Sequence, residues 1–137
     1  MDFRKVHIIL YVRDQNQSCQ FYSTLLGLKP SLNVPGMTEF ELLNNCVLGI
    51  MPEAGIKKLL GAPLPNPASA SGVPRAELYL VVTDPEQMHT LALKLGAKEL
   101  SPLAARDWGH EVAYSMDPDG HVLAFARTPG SNRLLNT

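Results

Sequence analysis

Two stretches of this chain answer each other across seventy positions, His7-Ile-Ile-Leu-Tyr-Val-Arg-Asp14 and Glu77-Leu-Tyr-Leu-Val-Val-Thr-Asp84. Self-similarity at a fixed distance means one supersecondary unit used twice, and it prunes the choice of folds harder than any composition. Each stretch is a short apolar run rich in Ile, Leu, Val and Tyr, which predicts a strand ending at the Asp. A helix start follows in both copies, because Asp14 with Gln17 and Asp84 with Gln87 fit an N-cap and its reciprocal partner three residues on. Pro85 suits a first helical turn, where its missing N–H costs nothing. Met88, Leu91, Ala92 and Leu95 then recur at helical spacing up to a stop at Gly96, and Ser18, Phe21, Tyr22 and Leu25 do the same up to Gly27.

Paired strands complete each copy. Glu39 to Leu43, the turn Asn44-Asn45 and Cys46 to Met51 form one hairpin, while Glu111 to Met116, the turn Asp117-Pro118-Asp119-Gly120 and His121 to Arg127 form the other. The weakest strands fall near Pro30 to Asn33 and Leu100 to Leu103. The chain is therefore α+β, two tandem βαβββ modules in one domain of 137 residues: module 1 over about 5–52, a linker over 53–75 and module 2 over about 76–128. The linker holds Pro63, Pro65, Pro67, Ser69, Ser71 and Gly72, with one helical turn at Ile56 to Leu60, and its length suits a lid. The nine residues from Pro129 to Thr137 read as a frayed tail in which Leu134-Leu135 can pack on a partner chain.

Strand parity selects the face that does chemistry. Ile8, Leu10 and Val12 form an aliphatic set that belongs on the first helix, so His7, Ile9 and Tyr11 look the other way. In the echo Leu78, Leu80 and Val82 pack on the helix, leaving Glu77, Tyr79 and Val81 on the second face. Sheets of two such units curl around that face as the walls of a cleft. It carries an imidazole and a carboxylate at equivalent positions, the beginning of a metal site, but a retained divalent ion normally takes three or four protein ligands. Three readings of His7 and Glu77 stand together: a hydrogen-bonded pair, weak ligands to an ion, or an acid and base. In the last, Glu77 is the base and His7 or Tyr11 donates to a developing oxyanion.

The double βαβββ pattern, the run from Asp14 to Leu28 ending in Phe21-Tyr22 and Leu26-Gly27-Leu28, and the Asp-Pro-Asp-Gly turn at 117–120 resemble the vicinal oxygen chelate superfamily. That superfamily contains lactoylglutathione lyase (glyoxalase I), extradiol dioxygenases, methylmalonyl-CoA epimerase, and fosfomycin- and bleomycin-resistance proteins. The resemblance implies curled mixed sheets around a cleft, with a divalent metal held by one residue from the first and one from the last strand of each module. His7 and Glu77 fall on the first-strand positions, whereas Gly49 and Ala124 occupy the last-strand positions where metal enzymes carry Glu or His. An incomplete metal site implies a small organic ligand between apolar walls, with no cofactor or at most a weakly held nickel, zinc, manganese or iron ion. Tyr11, Gly49, Met51, Tyr79, Trp108 and Ala124 are then the ligand-binding residues, with Trp108 equally readable as a buried anchor. The alternative is a metal-dependent lyase, isomerase or dioxygenase in which His110 or Glu111 substitutes for a missing ligand.

Charge and cysteine content narrow the partners. Twelve Lys+Arg against thirteen Asp+Glu, with no basic run, leave nothing to hold a nucleic acid or an anionic membrane surface. Asp2, Arg4, Lys5 and Arg13 enclose too short an apolar core for a secretory signal, so a cytoplasmic location is the expectation, with Cys19 and Cys46 buried and reduced. Apolar strand edges in so small a chain favour a homodimer. Of the other candidates, Lys57 and Lys58 meet an anionic ligand or stand as an exposed pair, His89 reads as a solvated surface residue, and His121 faces away from the cleft.

Overall fold

The computed structural model describes residues 2–130. The chain forms two compact units that divide between Ser71 and Gly72. The first contains β1 (Val6–Val12), α1 (Gln15–Leu26), β2 (Leu32–Val34), β3 (Met37–Leu43), β4 (Cys46–Pro52) and α2 (Glu53–Leu60), followed by a 3₁₀ turn at Pro67–Ala70. The second contains β5 (Glu77–Val81), α3 (Pro85–Lys94), β6 (Lys98–Ala105), β7 (Glu111–Met116) and β8 (Val122–Arg127). Each unit is a four-stranded mixed sheet, ordered β1-β4-β3-β2 in one and β5-β8-β7-β6 in the other. The outer first strand runs parallel to the last, and the remaining pairs are antiparallel. The protein is thus α+β, built from two similar modules.

The echo extends to register. His7 pairs with Val47 as Glu77 pairs with Val122, and Glu41 pairs with Val47 as Met116 pairs with Val122. Residues seventy apart correspond in the first strands, and residues seventy-five apart correspond in the last two. The five-residue surplus of the second unit lies between its helix and β7. There β6 runs for eight residues against three in β2, and the connection Arg106–His110 replaces the tight turn Pro35-Gly36.

Local signals set the element boundaries. The Asp14 side chain accepts from Gln17 N at 3.1 Å and Asp84 accepts from Gln87 N at 3.0 Å, each capping its helix. Gly27 closes α1 in the left-handed conformation, with φ of 65°. The stripe Ser18, Phe21, Tyr22 and Leu25 is buried on the sheet together with Leu10, Val12, Phe40, Leu48 and Ile50. Burying each large side chain contributes roughly 1.5–3 kcal/mol. Because α1 lies over β3 and β4, Ile8 stays 50% exposed although its parity matches that of Leu10 and Val12.

The turn at 117–120 is held from inside. Asp117 is buried, and its Oδ1 accepts from Asp119 N and His121 N at 2.9 and 2.8 Å. Gly120 has φ of 90°, and a Cβ there would lie 2.6 Å from the Gly72 carbonyl carbon, so only glycine fits. Gly72 N in turn donates to Asp119 O.

Four sequence expectations change. The segment over 53–75 is more structured than a linker with one helical turn, since α2 spans eight residues and Lys57 Nζ bonds the Gly61 and Leu64 carbonyls beyond it. Lys57 is therefore engaged rather than an exposed pair with Lys58. Cys19 and Cys46 are free thiols but only half-buried. His89, expected at the surface, is 6% exposed, because α3 packs across β6, β7 and β8 and turns this position against the sheet. There His89 Nε2 meets Glu99 Oε2 at 2.9 Å. Of the expected frayed tail, residues 131–137, including Leu134-Leu135, lie outside the described residues. No helix among the described residues is long and apolar enough to cross a membrane.

Candidate functional site

Register places the two small last-strand residues at the centres of equivalent cross-strand rows. In the first unit the row is Ile9, Gly49 and Glu39; in the second it is Tyr79, Ala124 and Tyr114. A side chain on a central strand is flanked by its row neighbours on the same face, so a small residue there is covered by them. A Cβ at Gly49 would lie 2.9 Å from Ile9 Cγ1 and 3.5 Å from Met37 Sδ. Ala124 is fully buried with Val112 and Ala126, and Tyr79 and Tyr114 pack against that cluster. The volume that the small residues release is thus occupied by their own neighbours.

The second unit carries a connected polar and aromatic array on this row. Trp108 Nε1 donates to Tyr79 Oη at 2.9 Å, and Tyr79 Oη lies 2.6 Å from His110 Nδ1. The Tyr79 and His110 rings stack with centroids 5.8 Å apart and an interplanar angle of 27°. Arg106 sits over the Tyr114 ring, 5.1 Å from its centroid, and its Nη2 bonds Ser101 Oγ at 2.7 Å and Val112 O at 2.9 Å. Burial raises the Tyr114 phenol above its ordinary pKa; the Glu77 carboxylate and Tyr79 add to the rise, and the Arg106 guanidinium opposes it. The Trp108 indole remains 57% exposed while its N–H is held.

The first unit has a smaller array. His7 Nδ1 lies 3.5 Å from Glu39 Oε2, so the carboxylate beside His7 comes from β3. Tyr11 and Met51 are register neighbours on β1 and β4 and both are half-buried. Glu77, the seventy-residue counterpart of His7, is exposed at the start of β5 and belongs to the other unit.

A resident divalent ion does not fit the donors within either unit. Among the described residues no group of three or more His, Cys, Asp and Glu side chains is placed to share an ion. In the first unit His7 and Glu39 supply two donors, and Ile9 fills the direction in which a third from position 49 would point. In the second, Glu111 accepts from Arg127 Nε at 2.9 Å across the strand pair, and His110 Nδ1 is taken by Tyr79. Tyr79, Trp108 and His110, each conspicuous alone in the sequence, converge on one hydroxyl. Arg106, Tyr114 and Glu39 carry no such signal in the sequence, although Tyr114 shares its row with Ala124 and is accessible from hairpin register.

A family model described as a glyoxalase-like domain matches residues 5–128. Among solved structures, a glyoxalase-related enzyme from Fulvimarina pelagi is similar at 23% identity, with 93% of this chain and 90% of that chain covered and a TM-score of 0.77. A glyoxalase/bleomycin resistance protein/dioxygenase from Nocardioides shares 19% identity over 96% and 87% of the two chains, with a TM-score of 0.75. A protein of the same description from Burkholderia phytofirmans PsJN shares 15% identity over 90% and 97%, also at 0.75. No curated protein is significantly similar in sequence.

Proposed function

Because the chain belongs to the glyoxalase-like family, and so to the vicinal oxygen chelate superfamily, we propose that it binds a small organic ligand on a face whose family metal site is incomplete. The ligand lies against Tyr79 and Tyr114, which cover Ala124 in the second unit, with Trp108 as a wall and His110 at its rim. The observation that carries this reading is the pinned, exposed indole. An exposed aromatic ring gains nothing from burial, yet a hydrogen bond to Tyr79 fixes its orientation, which is the arrangement of a preformed stacking surface. Gly49 and Ala124, at the positions where the resemblance puts the last-strand ligands, carry no donor atom in their side chains, which supports the same reading. The names of the similar structures span glyoxalase, bleomycin resistance and dioxygenase, and leave the ligand's identity open.

The chain holds a single tryptophan, so its emission reports the site directly. A screen of planar organic compounds is expected to give saturable quenching, with a matching rise in melting temperature that Trp108→Ala abolishes. Quenching without saturation, or stabilisation that survives Trp108→Ala, would remove the proposal. A stoichiometric ion found by elemental analysis would return the metal-dependent lyase, isomerase or dioxygenase to first place. We also take two chains to associate as a homodimer, since β1 and β5 each have one neighbour in their sheet. Sedimentation at micromolar concentration is expected to give twice the 15.0 kDa chain mass.

A further inference from the structure

We infer that the ligand of this face carries an acceptor oxygen, a carboxylate or carbonyl on a planar body, recognised by the Nε2–H of a His110 held in one tautomer. The inference rests on the binding reading above and extends it to ligand class. It follows from counting donors and acceptors around one hydroxyl.

The indole N–H is a donor and nothing else, so Tyr79 Oη must accept from Trp108. The hydroxyl then has its own proton to place, and His110 Nδ1 stands 2.6 Å away, within the range of a strong O–H···N bond. With Tyr79 donating, neutral His110 accepts at Nδ1 and its ring proton resides on Nε2. The opposite assignment, with Nδ1 protonated, would direct both Trp108 and His110 donors at one oxygen and leave the Tyr79 proton without this partner. The hydrogen bond made by one imidazole nitrogen ordinarily sets which form the other presents outward.

Nε2 has no protein partner among the described residues and is not among the buried unpartnered atoms, so it reaches solvent as a donor. The Arg106 guanidinium, held over the Tyr114 ring, adds positive potential to the same face. Its Nε is buried and unpartnered, so that charge is incompletely compensated by protein. The exposed Glu77 carboxylate is the opposing charge that acts on Tyr114 and so on the row. An outward N–H beside a stacking indole selects a ligand with a flat apolar body and an oxygen at its edge, and it offers no acceptor to an ammonium edge, which is left to the exposed, solvent-screened Glu77 carboxylate.

The test has two parts. Long-range proton–nitrogen spectra of the full-length protein above pH 8 are expected to show His110 as the Nε2–H tautomer, with mixed tautomers in Tyr79→Phe. Calorimetric titrations with 2-naphthoate, 2-naphthamide and 2-naphthylmethylammonium are expected to rank both acceptors at least tenfold above the ammonium. His110→Phe, which keeps a ring but loses the donor, should weaken both acceptors about tenfold or more and leave the ammonium unchanged. An Nδ1–H tautomer in the parent protein, or equal binding of the three probes, overturns this inference and leaves the binding reading intact. No binding by any probe overturns both. Should His110→Phe fold poorly, the tautomer in the parent protein and the ranking of the three probes decide the matter without it.

Discussion

Placing a carboxylate at position 124 tests whether the position that the family resemblance assigns to a metal ligand can still serve as one or is packed core. Ala124 is fully buried beside Val112 and Ala126, and Tyr79 and Tyr114 close over it. In Ala124→Glu the extra methylene and carboxylate have no room, and forced overpacking costs about 1–3 kcal/mol. The nearby Arg106 guanidinium lies over Tyr114 with its Nη2 bonded to Ser101 and Val112, so it would have to leave those bonds to pair with the new carboxylate, and a buried charge left unpaired costs roughly 3–5 kcal/mol. The sum, about 4–8 kcal/mol, is comparable to the whole stability of a typical domain, which runs from about 5 to 15 kcal/mol. Ala124→Leu separates the two contributions, since it adds volume without charge and should lose only about 1–3 kcal/mol. Urea unfolding followed by far-ultraviolet circular dichroism, with and without nickel, measures both. Ala124→Glu within 1 kcal/mol of the parent, or restored by a stoichiometric metal, would refute the claim that this position is packed core.

Other perturbations have equally definite outcomes. Gly120→Ala combines a positive φ with a Cβ 2.6 Å from the Gly72 backbone, and a loss of about 2–4 kcal/mol in chemical unfolding is expected; a neutral result would mean that the turn and Gly72 are not in contact. Asp14→Ala removes the cap that accepts from Gln17 N and should cost about 1 kcal/mol, whereas Asp14→Asn should cost much less. The pKa of the Tyr114 phenol is raised in the folded chain, so the native state keeps a proton that an unfolded tyrosine loses near its ordinary value of 10.0. That contribution is present below pH 10 and disappears as pH rises through the higher folded value. Stability should therefore fall less steeply above pH 10 in Tyr114→Phe than in the parent, and parallel curves would contradict the shift.

Features encoded by close neighbours along the chain are legible in the residues alone. Strand, cap and turn signals at Asp14, Asp84 and Gly27 act within a few residues, and the two caps form with bond lengths within 0.1 Å of each other. The correspondence of Gly49 and Ala124 is legible too, because the repeat carries register with it. Contacts that join distant strands are not. His7 finds Glu39 through a β3–β4 pairing that shifts register between Glu41 and Leu43, which no spacing rule announces. His89 is buried by the way α3 crosses β6, and its place beside an apolar stripe gives no hint of that. Tyr79 and His110 lie thirty-one residues apart, and their 2.6 Å contact needs both β5 and the β6–β7 connection to be in place.

That connection bears on the stoichiometry the proposed binding would have. Arg106, Trp108 and His110 all belong to Arg106–His110, in the stretch where the second copy of the repeat is longer than the first, and the first copy has only Pro35-Gly36 in its place. The two sheets are alike, but only the second carries this longer turn and the side chains on it. If the proposed ligand rests on that turn, a chain of two like halves would offer one berth rather than two, and titration would saturate at one molecule per polypeptide.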